Sequence, residues 1–122
     1  MRVLVFGSKE WKDYNELIRQ LTVLIDDRKH FYPDDKEYTF VHTGLKGAES
    51  MVVEYVGQTE KYLRQKGYKI KEEWIRDKSS FIDVSLIESN PDFILVFGDC
   101  YRNRQILKIL EALEVPHRYI KD

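Results

Sequence analysis

Phe40-Val41-His42-Thr43-Gly44-Leu45-Lys46-Gly47-Ala48-Glu49 reads as a strand end, a tight glycine turn and the first turn of a helix. Glycine carries no Cβ, so main chain at Gly44 and Gly47 can approach another group closely. The helix that follows turns its unpaired N–H groups and its positive dipole end toward the turn. Such a place holds an anion, most often a phosphate. A second glycine element, Phe6-Gly7-Ser8, ends an earlier apolar run in the same way. The two turns are expected to meet at one pocket for a nucleotide-like ligand.

Working outward, Arg2-Val3-Leu4-Val5-Phe6 is apolar on both faces, as in a central parallel strand. Asp13 and Glu16 supply an N-cap and its N3 partner. Tyr14, Leu17, Ile18, Leu21, Leu24 and Ile25 then mark an amphipathic helix ending near Asp27. Residues 28–37, with Pro33, read as a loop, and Tyr38 to His42 as the second strand. A second helix from about Ala48 to Lys66 buries Met51, Val52, Tyr55, Val56, Tyr62 and Leu63. Gly57 weakens it by roughly 1 kcal/mol against alanine, which predicts close packing at that gap. Gly67 is its C′ stop.

Tyr68 to Trp74 alternates apolar and polar in its first half, as an edge strand does. Ser79 or Ser80 caps a short helix with Phe81, Ile82, Val84, Leu86 and Ile87, stopped by Asn90-Pro91-Asp92. Phe93 to Phe97 is the most apolar run and the second central strand; Gly98 ends it. A helix from about Arg102 to Leu113 buries Ile106, Leu107, Ile109, Leu110 and Leu113. Pro116 opens a last edge strand, His117 to Ile120.

Strands alternating with helices argue for an α/β, three-layer, Rossmann-like domain over residues 1–122. Right-handed crossovers favour a five-stranded parallel sheet in order 3-2-1-4-5. Ligands bind where that order reverses, beyond the strand carboxyl ends. Gly7-Ser8, Thr43-Gly44 and Gly98-Asp99 all fall there.

The bulk numbers suit one soluble domain: 122 residues, 43% hydrophobic, 34% charged, net charge −1. That charge gives no field to draw in nucleic acid or anionic lipid. One cysteine, Cys100, fits a reducing compartment. No run approaches the ~20 apolar residues of a membrane helix, and no signal-peptide layout opens the chain. The expected location is cytoplasmic. His30, His42, His117 and Cys100 are too scattered for a zinc site, and no cofactor motif is complete.

Each chosen residue has a structural reading beside its functional one. Gly7 and Ser8 either end a strand or touch a ligand. Thr43, Gly44, Lys46 and Gly47 form either an ordinary turn or a phosphate cradle, with Lys46 as its point charge. Glu49 sits in a first helical turn, where the dipole favours a carboxylate. It is also the one weak catalytic candidate. His42 reads as a hydrogen-bonded core histidine. Trp11 and Trp74 are core or interface residues, or platforms for a base. Arg102 and Arg104 start a solvated helix or clamp a phosphate. Asp99 is placed to read a ribose hydroxyl.

Arg2 to Ser8 with Trp11 and Asp13, His42 to Glu49, and Glu73-Trp74 together resemble the SLOG superfamily, the Rossmann-like fold of the LOG and DprA proteins. The likeness is to its small YspA-like branch. In that branch the first stretch is the opening strand and Gly-Ser turn, and the second a His-Gly-Gly…Gly-Ala-Asp turn. Lys78-Ser79-Ser80-Phe81 stands where the branch has a glycine-rich stretch and an Arg-Asn pair. Gly98-Asp99-Cys100-Tyr101-Arg102-Asn103-Arg104 replaces its Gly-Thr turn. The resemblance implies binding of nucleotides or nucleotide-derived signals, and homo-oligomers. Glycosidase relatives place a glutamate four residues after the last glycine of the turn; here that position is Met51, and Glu49 lies two after Gly47.

The leading expectation is a sensor or sequestering module, of phage origin among its conceivable sources. It would bind a nucleotide-like small molecule at Gly7, Ser8, Trp11, Thr43, Gly44, Lys46, Gly47, Glu49, Gly98, Asp99 and Arg102. A second is an N-glycosidase or phosphoribohydrolase acting on nucleoside monophosphates, with Glu49, and Asp99 second to it, as the carboxylate stabilising an oxocarbenium-like transition state. A third is single-stranded nucleic-acid binding through Lys61, Arg64, Lys66, Lys69 and Lys71, interrupted by Glu60, Glu72 and Glu73. No membrane partner is expected. A homo-oligomer is, with Tyr101 and Trp74 at its interface.

Overall fold

The computed structural model describes residues 1–76 and 82–121. Strands β1 (Arg2–Gly7), β2 (Glu37–His42), β3 (Lys69–Trp74), β4 (Phe93–Phe97) and β5 (His117–Ile120) alternate with helices α1 (Tyr14–Phe31), α2 (Ala48–Gln65), α3 (Ile82–Ile87) and α4 (Tyr101–Leu113). All five strands are parallel, in the order β3-β2-β1-β4-β5. Among the described residues no helix is long and apolar enough to cross a membrane.

The two apolar runs are central because both their faces are covered. Val3 and Val5 of β1 and Leu95 and Phe97 of β4 join the core beneath α1 and α2. Leu4, Phe6, Ile94 and Val96 join the core beneath α3 and α4. The result is a sheet between two helical layers, with the strand order reversing between β1 and β4.

Helix ends follow local chemistry. Asp13 caps α1, its Oδ1 accepting from Glu16 N–H at 3.0 Å. Glu16 does not return the bond expected of a capping box; its carboxylate takes Arg19 and Gln20 instead. α1 also runs past Asp27 to Phe31. Arg28, Lys29 and His30 suit the negative end of a helix dipole, and Arg28 is anchored to Asp35 at 2.9 Å. α2 stops where expected. Gly67, at φ 87°, gives its N–H to Arg64 O, and Tyr68 N–H bonds Leu63 O, the paired bonds of a Schellman ending.

Several burial expectations are corrected. Tyr62 and Leu113 are exposed rather than core. Each stands at the margin of its helix's apolar stripe, where spacing alone does not separate buried from flanking positions. Nothing packs against Gly57: a Cβ there would meet no atom within 4 Å. The proposed caps Ser79 and Ser80, and Phe81, lie outside the described residues.

Candidate functional site

The three glycine-ended segments do converge, at the carboxyl ends of β1, β2 and β4. Glu49, in the first turn of α2, is completely buried and ties them together. Its Oε1 accepts the Thr43 N–H and the Thr43 hydroxyl, both at 2.7 Å. Its Oε2 accepts the Gly7 N–H at 3.4 Å and Arg102 Nη1 at 2.7 Å. A carboxylate offers about four lone-pair positions, and these bonds use them.

Arg102 reaches this point from the first turn of α4. It forks onto Asp83 of α3 through Nε at 2.9 Å and Nη2 at 2.8 Å, a bidentate pair of the strong kind. Nη2 also donates to the Thr43 hydroxyl at 3.2 Å, and the guanidinium lies over the Phe6 ring. Burial works against its charge. The hydrogen bonds Arg102 donates to Asp83 and the charges of Glu49 and Asp83 outweigh burial and raise the guanidinium pKa above the ordinary arginine value.

The expected anion cradle therefore has an anion already, and the chain supplies it. The deep amides of Gly7 and Thr43 hold Glu49 and leave no place for a phosphate at that depth. Gly44 N–H is also spoken for, donating to His42 Nδ1 at 3.0 Å. The glycines are needed for packing inside the protein. A Cβ on Gly7 would overlap Ala48, one on Gly44 the Trp74 indole, and one on Gly47 the Ser8 carbonyl. Gly44 and Gly47 further hold φ values of 78° and 88°, a region that suits glycine.

Of the other expected residues, Ser8 is buried, its N–H bonding Phe97 O at 2.8 Å and its hydroxyl accepting from Glu10 N–H. Gly98 is buried too, its N–H bonded to Ile120 O. Trp11 is not a base platform: it is 2% exposed, packed edge-on against Phe97, with its indole N–H on Asp13 O. Lys46 is exposed at the rim. Asp99 is exposed and paired with Arg104 at 2.9 Å. Trp74 is 45% exposed, donates to Thr43 O at 3.2 Å, and carries the Arg76 guanidinium on its ring at 4.1 Å. Tyr101 stands free of the core at 74% exposure.

His42 is the core histidine expected. It accepts from Gly44 at Nδ1, so Nε2 carries the proton and donates to Glu72 at 2.5 Å. Sequence reasoning missed Asp83, because a lone aspartate in a short helix carries no signal of its distant partner. It also missed Asn103, fully buried in α4, whose Nδ2 holds Phe97 O and Gly98 O. Its place in a first helical turn, just after a glycine-ended strand, was the available clue.

Among the described residues no group of three or more His, Cys, Asp or Glu is arranged to hold a metal. A cavity of about 450 Å3 lies away from the crevice, between α2 and the opening halves of β2 and β3. Comparison with protein-family models, curated proteins and solved structures finds no match. The likeness to the SLOG superfamily thus rests on the quoted motifs alone.

Proposed function

We propose that the protein binds a nucleotide or nucleotide-derived signal at the crevice where β1, β2 and β4 end, as a sensor or sequestering module of SLOG type. The observation that carries this reading is the convergence of Gly7, Thr43 and Arg102 on Glu49 at the switch point of the sheet. It makes a rigid floor, stitched from four segments, at the place where such sheets take ligands. Above that floor the rim offers what a nucleotide needs. Tyr101 presents an exposed ring for a base and Trp74 a part-exposed one that Arg76 covers on one face, and Lys46 and Arg76 present exposed cations for phosphate.

A binder is favoured over a glycosidase by the state of Glu49. A carboxylate that is fully buried and hydrogen-bonded at both oxygens is a strut, with no lone pair left for a sugar. Nucleic-acid binding is disfavoured because Arg64 is paired with Glu60 at 2.9 Å and Lys69 lies 4.0 Å from Glu37, so two of the five cations of the basic patch already face a carboxylate.

The test is thermal unfolding with ADP-ribose, a cyclic dinucleotide and nucleoside monophosphates. A ligand at a hundred times its dissociation constant stabilises by about 2.7 kcal/mol. The reading expects such a rise for at least one ligand, and its loss in Trp74→Ala or Lys46→Glu. No shift across the panel at millimolar ligand sinks it. Release of free base by the wild type but not by Glu49→Gln would move the assignment to the enzyme.

A further inference from the structure

One flank of α2 is unfinished in the isolated chain. Val53, Gly57, Glu60 and Arg64 fall at steps of four, three and four, one stripe of a helix. α1 meets α2 on a different flank, through Tyr14 to Gln58 at 2.7 Å and Thr22 to Tyr55 at 3.3 Å. The stripe instead faces β3: Glu60 and Arg64 line the cavity of about 450 Å3 together with Lys69, Ile70 and Lys71. Val53 is 43% exposed. Gly57 sits mid-way in an 18-residue helix with open space where its Cβ would be. Among the described residues nothing calls for a glycine there, although it weakens the helix by about 1 kcal/mol.

β3 itself is an outermost strand. Lys69 N–H bonds Lys36 O, and Ile75 N–H bonds His42 O. The odd-numbered peptide groups between them therefore face β2, and Ile70, Glu72 and Trp74 turn theirs outward. The strand's sequence, Lys69-Ile70-Lys71-Glu72-Glu73-Trp74, is basic in its first half and acidic in its second. Turned end for end, it complements itself.

We propose that this flank is a two-fold interface between two copies of the chain. β3 pairs antiparallel with the partner's β3, and α2 lies against the partner's α2 at Gly57. With Glu72 at the symmetry axis, the outward-facing Ile70 and Trp74 form the hydrogen-bonded pairs. Lys71 then stands opposite Glu73 of the partner subunit, twice by symmetry, in the closer non-hydrogen-bonded pairs. Glu72 is drawn off the axis by its own His42. Continuing the sheet puts both α2 helices side by side on one face. Helices pack 8–10 Å apart, and a missing side chain at Gly57 permits the near end of that range. Arg2 of the same chain already reaches Glu73 at 2.9 Å, but the Glu73 side chain stays 44% exposed and open to a second cation. An acidic peptide would match Lys69 and Lys71 and repel Glu72 and Glu73, so a second copy, which offers both signs, is the occupant chosen. The inference is independent of what the crevice binds.

Sedimentation equilibrium of the full chain over a dilution series tests it. The wild type is expected to dimerise. Gly57→Lys places a side chain in the helix–helix contact, meets no atom within 4 Å at its Cβ, and improves helix propensity. It is expected to be monomeric, with a Tm no lower than that of the wild type at dilutions where the wild type is also monomeric. Lys71→Glu and Glu73→Lys are each expected to raise the dimer dissociation constant about tenfold or more. Mixing those two variants is expected to restore association, because each hybrid pair is again of opposite sign. A wild type that stays monomeric, a dimer unmoved by Gly57→Lys, or a mixture that fails to associate overturns the proposal.

Discussion

The glycines of the crevice and the glycine of α2 look alike in sequence and have opposite reasons to exist. Gly7, Gly44 and Gly47 are held against Ala48, Trp74 and the Ser8 carbonyl, so their missing side chains are spaces already filled by the chain. Gly57 faces open space. The same asymmetry separates the two regions as wholes. At the carboxyl ends of the strands, polar groups find partners inside the molecule, down to both oxygens of Glu49; the buried Asn103 Oδ1 is the exception. Along the β3 edge, peptide groups, Val53 and a cavity wait on something outside it. A glycine in a turn is thus weak testimony for a ligand until its neighbours are known, whereas a glycine with no neighbour points outward.

The largest effect expected is at the filled region. Arg102→Ala leaves Glu49 and Asp83 without their cation, one of them fully buried. Stranding one partner of a buried pair costs about 3–5 kcal/mol, readable in urea unfolding. Combining Arg102→Met with Glu49→Gln removes the two charges of the buried pair, leaves only the part-exposed Asp83, and should recover much of that loss. If Arg102→Ala is as stable as the wild type, the crevice is not the closed unit described. Gly47→Ala comes next. Its φ of 88° and ψ of −133° put a side chain in a region costing about 1–3 kcal/mol, and contact with the Ser8 carbonyl adds to it.

These residues also show how much the sequence disclosed. The fold was legible because its signals are local: apolar runs bounded by Gly7 and Gly98, three- and four-residue periodicity in α1, α2 and α4, and Gly67 as a stop. The five-stranded order followed from those elements. The site was legible in place and not in content. Gly7, Thr43, Glu49 and Arg102 were each singled out, and they do meet. That Glu49 would fill the cradle was not readable, since it depends on Arg102 crossing 53 residues of chain and on Asp83 bracing it from another helix. Long-range charge pairing leaves no periodic trace. α1 overran its expected end for a related reason: Arg28 is kept helical by Asp35, outside the window in which helix signals are read.

A smaller effect belongs to that same Asp35, away from both regions. Burial pushes its carboxyl up, but hydrogen bonds from the Met1 ammonium, Arg28 and Glu37 N–H hold it below the usual carboxylate value. A lowered folded pKa contributes stability that is complete above the unfolded value, about 3.9. That stability is lost as pH falls through the folded one. Asp35→Asn should therefore flatten the stability–pH curve below about pH 4, while the wild type continues to weaken there. Equal acid limbs for the two proteins would show that the clamp carries no stability.

The smallest expected change has the sharpest sign. Alanine at Gly7 and alanine at Gly57 are the same chemical substitution in regular structure, and neither glycine holds a positive φ. At Gly7 the new methyl overlaps the Ala48 side chain, so β1 and α2 must separate and stability falls. At Gly57 the methyl enters open space and removes the conformational freedom of a helix-interior glycine. That gain is about 0.5–1 kcal/mol, seen at dilutions where the chain is monomeric. Opposite signs from one substitution isolate packing from propensity, because propensity alone would never make Gly57→Ala stabilise and Gly7→Ala destabilise through contact with a single neighbour. Should Gly57→Ala lower Tm at high dilution, the flank of α2 is occupied within the chain itself, and the contrast between a filled crevice and an open edge fails.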